Sequence, residues 1–160
     1  MRPHPTGDPF ASYESVFGPT QWRKEHGGWV LLGLNSCEGA KSDVTISDER
    51  LAWLREQLAS VDPKQPIALF LHHPLNPHSK SYRVKNADAV LALFAGRALR
   101  LVAAGHFHGN QVEEQDGVLF TTNACCTITR DNHDGTTAKG YRLFHCSGER
   151  VQTEFVEIAL

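Results

Sequence analysis

Two short runs hold the residues best suited to chemistry: Leu71-His72-His73-Pro74 and Gly105-His106-Phe107-His108-Gly109. Neutral imidazole is a good ligand for zinc, iron, manganese or nickel, and three converging imidazoles offer too little oxygen for calcium. The pattern points to a transition-metal site built from His72, His106 and His108. His106 and His108 are two apart, so an extended backbone would turn both rings to one side and Phe107 to the other. Gly105 and Gly109 bracket the pair and are expected to let the chain turn sharply there. A lone histidine is usually an ordinary polar residue; what favours a site is that two such runs follow two apolar segments.

Those segments must place the histidines. Residues 67–71, Ile-Ala-Leu-Phe-Leu, form a short continuous apolar run, as do residues 101–104, Leu-Val-Ala-Ala. Runs of this length read as strands buried on both faces. Between them Asn86 is expected to cap a helix with Val90, Leu93 and Phe94 on one face, closing at Gly96. Strand, helix, strand makes a βαβ unit, so the strands are parallel and both histidine runs leave the same carboxyl edge, where open α/β sheets bind ligands.

The flanks extend the same reading. Residues 29–34 form a third buried-strand run. Ser47 is placed to cap a helix with Asp48 and Glu49 in its first turn, Leu51, Leu54 and Leu58 on one face, and Ile46 packing on Leu51. Residues 1–28, with four prolines and four glycines, read as loop. Asp116-Gly117 marks a tight hairpin turn, and residues 146–149 separate two strand-like runs, 141–146 and 150–158, so the last third is expected to be mostly antiparallel β. Residues 130–140 form the longest irregular piece there.

Composition bounds the rest. Sixteen Lys and Arg against eighteen Asp and Glu leave a net charge of −2 over 160 residues, which gives no nucleic-acid-binding signature. A hydrophobic share of 41% is globular. No run approaches the roughly 20 apolar residues of a membrane span, and the polar start is no signal peptide. The expectation is one soluble, cytoplasmic domain over residues 1–160. The four cysteines have no metal-type spacing and read as free, mostly buried thiols.

The L-H-H-P and G-H-x-H runs, in that order, resemble the closing motifs of the calcineurin-like metallophosphoesterases. Phe17-Gly18-Pro19-Thr20, Leu34-Asn35-Ser36, residues 47–54 and Gly140-Tyr141-Arg142 agree with bacterial members in the same order. The resemblance implies an α/β/β/α sandwich that hydrolyses small phosphoesters with one or two divalent ions of iron, manganese or zinc. It matches His72 and His106 to one ion and His108 to the other, with His73 behind the ligands rather than among them. It also implies His78 as a general acid for the leaving alkoxide.

The family's earlier motifs, D-x-H, G-D-x-x-D and G-N-H, do not precede His72, so the chain resembles the C-terminal half of such a domain. Gly7-Asp8 and Asp131-Asn132-His133-Asp134 mimic fragments of those motifs out of order, and neither is expected to replace a missing ligand. The alternatives are a catalytically impaired metal-binding fragment using His72, His106 and His108, or an assembly module. In either case a second copy or another chain would cover the missing half.

Overall fold

In the computed structural model, residues 10–79 and 81–159 are described; the proline-rich start, with Gly7-Asp8, lies outside them. A six-stranded sheet is built from β1 (Trp22–His26), β2 (Trp29–Gly33), β3 (Ile67–Phe70), β4 (Leu99–Ala104), β5 (Gln111–Gln115) and β6 (Val118–Thr122), in the order β1-β2-β3-β4-β6-β5. Strands β2, β3, β4 and β6 run parallel, and β1 and β5 are antiparallel edges. A separate antiparallel pair, β7 (Gly140–Ser147) and β8 (Arg150–Glu157), lies across the other face. The fold is mixed α/β, with a parallel sheet and added antiparallel strands.

The helices are α1 (Ala11–Phe17), α2 (Asp48–Ala59) and α3 (Ala87–Ala92). The expected βαβ unit is β3-α3-β4, and β2-α2-β3 forms a second. Leu51, Leu54 and Leu58 of α2 and Ala87 and Val90 of α3 pack on Val30, Leu32, Ile67, Leu69 and Val102 in one buried cluster. Trp29, Ala68 and Leu101 start a second cluster on the opposite face, joined by Phe144 and Val151 of the small sheet. Each central strand is thus covered on both sides, which explains its unbroken apolar sequence.

Ser47 caps α2 as expected, its hydroxyl accepting from Arg50 N at 3.4 Å. Asn86 does not cap α3. Its amide instead clamps the backbone of Ile46, accepting from the nitrogen and donating to the carbonyl, both at 2.9 Å. A side chain engaged forty residues away cannot also satisfy its own helix, and α3 is a short six-residue helix. Leu93 and Phe94 follow it in turns that close at Gly96 (φ 72°).

Two further expectations are corrected. Residues 1–28 are not all loop: α1 and β1 lie within them. Gly27 and Gly28, both at positive φ, make a two-residue turn that pairs β1 with β2. The last third is less antiparallel than its hairpins suggest, because β6 returns from the Asp116-Gly117 turn to lie parallel to β4. All four cysteines are free, but Cys126 and Cys146 are exposed.

Candidate metal centre

Strands β3 and β4 stop at Phe70 and Ala104, yet their pairing continues: Leu71 N donates to Ala103 O at 3.1 Å and Gly105 N donates to His72 O at 3.0 Å. His72 and Gly105 therefore leave the sheet side by side. His72 Nε2 and His106 Nδ1 are hydrogen-bonded at 2.9 Å, one ring donating its N–H to the other. His72, His73 and His106 each bring one ring nitrogen within 4.8 Å of the others.

Beyond Gly105 the chain is not extended. His106 and His108 themselves take positive φ, 57° and 49°, while neither bracketing glycine does. Such values are uncommon for non-glycine residues and tend to occur where the surroundings enforce them for a purpose. Gly109 is needed for another reason: a Cβ there would collide with the Phe107 ring, which folds over it. The expected division of side chains survives this change of backbone. His106 and His108 line one cavity, of about 860 Å³, with His72, His73, Tyr82 and His133, whereas Phe107 lines a neighbouring cavity.

The buried Ser36 hydroxyl organises the pair at the end of β3. It accepts from the backbone nitrogens of His72 at 3.1 Å and His73 at 3.0 Å, and it lies 3.1 Å from His73 Nδ1. A serine oxygen has two lone pairs and one proton. Both lone pairs are taken by the amides, so we assign the proton to His73 Nδ1, which leaves the neutral ring protonated at Nε2. His73 is then a donor at the site rather than a ligand, and its Nε2 is buried without a hydrogen-bond partner.

The electrostatics keep the rings neutral. His72, His73, His106 and His108 all have pKa values below the ordinary histidine value, first because burial penalises the charged form. Mutual repulsion adds to this: His73 and His108 act on His72, and His72, His108 and His133 act on His106. Neutral imidazole is the ligating form. Cys37 lies on the same cavity wall, but burial pushes its thiol up, away from the thiolate that binds metals.

The donor set fits a transition ion. His72 Nε2 and His106 Nδ1 converge from two strand ends, and His108 Nδ1 is buried with no hydrogen-bond partner. Among the described residues the clustered donors are imidazoles alone. Arg130 on the cavity wall supplies positive charge suited to an anion, and Lys41 beside it is paired with Glu38 at 3.1 Å.

His78 is placed elsewhere. It is exposed, pairs with Glu113 at 3.5 Å, and lines the Phe107 cavity rather than that of the clustered histidines. Sequence reasoning missed Ser36, Tyr82 and His133 as parts of the site. Ser36 had a signal, since it follows strand β2 as His72 follows β3; Tyr82 had none.

No family profile matches the chain. Curated relatives do. Proteins named probable cyclic nucleotide phosphodiesterase are 29% identical over 140 residues in Psychrobacter arcticus and 27% over 137 residues in Rhodococcus erythropolis, covering 81% and 78% of this chain. A similarly named Fibrobacter succinogenes protein is 29% identical over 112 residues, 66% of this chain. These alignments cover 50%, 44% and 41% of the relatives, so the chain spans about half their length. A crystal structure of Entamoeba histolytica Vps29 complexed with zinc superposes with a TM-score of 0.37 at 12% identity, covering 86% of this chain and 59% of that one; it adds nothing to the strand order above. With its two histidine motifs at neighbouring parallel strand ends, the chain is similar to these relatives named as phosphodiesterases and so resembles a metallophosphoesterase-like family.

Proposed function

We propose that this chain carries a metal-dependent phosphoester hydrolase centre of phosphodiesterase type. The observation that carries the reading is the meeting of His72 Nε2 and His106 Nδ1 at 2.9 Å from adjacent parallel strand ends. These two nitrogens would hold a divalent ion of iron, manganese or zinc. When bound, such an ion supplies positive charge that polarises a phosphoryl oxygen and acidifies a water.

The chain's own groups do the rest. Ser36 holds the two backbone nitrogens and the His73 tautomer fixed, so His73 Nε2 offers a proton donor to an anionic oxygen. Arg130 attracts and orients a phosphate ester. The names of the relatives favour a cyclic nucleotide as the substrate.

A second reading, a metal-binding protein without turnover, is favoured by the clustered donors, which are imidazoles alone and include no carboxylate to bridge two ions, Asp131 lining the cavity outside that cluster. Steady-state hydrolysis of cyclic AMP and of bis-p-nitrophenyl phosphate in the presence of manganese, iron or zinc separates the two. The first reading expects metal-dependent turnover that His106→Ala abolishes. Metal retention with no hydrolysis of either ester supports the second.

A further inference from the structure

His133 lies outside both histidine motifs, in the irregular loop after β6, yet its ring stands 5.2 Å from that of His108 at an angle of 47°. It faces Tyr82 at 5.7 Å and Phe107 at 6.1 Å, and so forms part of the cavity wall. Tyr82, like His106 and His108, sits at positive φ.

The loop is held there by many bonds. His133 N donates to His108 O at 3.1 Å, so the loop is tied directly to the second motif. Asp134 accepts from Asn110 N at 2.8 Å and from the nitrogen and hydroxyl of Thr136 at 3.0 and 2.7 Å. Asn132 is buried, accepts from Cys125 N at 3.0 Å and donates to Ala138 O at 2.7 Å. The Lys139 ammonium, also buried, donates to Arg130 O at 2.6 Å. Both neighbours of His133 are thus fixed while its ring is left facing solvent beside His108.

Two imidazoles on one tetrahedral ion, with metal–nitrogen distances of about 2.0–2.1 Å, have ring centres roughly 5 Å apart. The His108 and His133 rings have that separation, no hydrogen bond joins them, and His108 Nδ1 is a buried nitrogen with no partner. We propose that His108 and His133 hold a divalent first-row transition ion of their own, beside the His72/His106 pair in the same cavity. The open positions go to water or phosphoryl oxygen. The proposal rests on the metallophosphoesterase reading for the class of ion and for His108 as a ligand of a second one; His133 as its partner comes from the geometry alone.

Cobalt(II) titration of the metal-free full chain, followed by visible absorption and equilibrium dialysis, tests it. The wild type is expected to bind two ions, and His133→Ala to weaken one of them by roughly tenfold or more while leaving the other. His133→Cys is expected to restore that ion and to add a thiolate–cobalt absorption band absent from the wild type. Circular dichroism of each variant reports the fold independently. Two ions bound by His133→Ala at wild-type affinity would overturn the proposal. A wild type that binds one ion, lost only in His106→Ala, would also overturn it but leave the proposed function standing. No binding by the wild type would remove both.

Discussion

Ser36 has one hydroxyl with two lone pairs and a proton, and its contacts use all three. Ser36→Ala leaves two buried amides unsatisfied and frees the His73 tautomer. Its expected cost is about 1–3 kcal/mol in urea unfolding, with metal affinity down by roughly 10–100-fold in dialysis. An alanine variant as stable as the parent would remove Ser36 from this role. The depressed histidines set a pH dependence with a definite sign. Because His72, His73, His106 and His108 bind protons less readily when folded, the unfolded chain takes up more protons as pH falls below the ordinary histidine value. The metal-free protein is therefore fully stabilised by these groups above that value and loses stability progressively beneath it. Thermal melts in chelator across that range should fall on the acid side; melts that rise there would contradict the assignment. His72, His106 and His108 were legible in the sequence because each follows an apolar strand run. The left-handed backbone of His106 and His108 was not, since the flanking Gly105 and Gly109 are the residues expected to take it, and His133 is brought in by side-chain bonds of Asn132, Asp134 and Lys139 that have no local pattern.

The elements that carry the site were largely readable, because strands β2, β3 and β4 are apolar on both faces and α2 has both its cap and its leucine stripe. What escaped was set by long-range or turn chemistry. The β1–β2 hairpin depends on Gly27-Gly28, and β1 itself, with Arg23, Lys24 and Glu25, has the charged sequence of a protected edge rather than of a core strand. Strand β2 also needs Gly33, where a Cβ would collide with the Trp22 indole. Gly33→Ala is expected to destabilise by about 1–3 kcal/mol, read as a lower denaturation midpoint with an unchanged slope; a neutral result would mean that the indole can move aside. The Asn86 amide ties the start of α3 to the strand-to-helix connection before α2. Asn86→Ala should cost a similar amount, about 1–3 kcal/mol for two lost backbone partners, and hydrogen exchange should quicken at Ile46 if the clamp is real.

At the scale of the molecule, a six-stranded sheet covered by helices on one face and by β7–β8 on the other delivers both histidine motifs to one edge. No helix among the described residues is long and apolar enough to cross a membrane. The chain spans about half the length of its curated relatives, so cyclic-nucleotide turnover by the whole protein is a proposal, and so is metal capture by the clustered histidines, which this chain can be tested for by itself. An ion that binds only the folded chain stabilises all of it: at a concentration 100-fold above Kd the linkage amounts to about 2.7 kcal/mol. Calorimetry with zinc against chelator should therefore show a rise of several degrees, and superimposable traces would argue against a folded-state site. The most direct measurement is zinc K-edge X-ray absorption on the loaded protein. A mixed nitrogen and oxygen shell at about 2.0–2.1 Å is expected, with outer-shell scattering from imidazole rings that weakens in His106→Ala. An oxygen-only shell, unchanged by that substitution, would contradict that expectation.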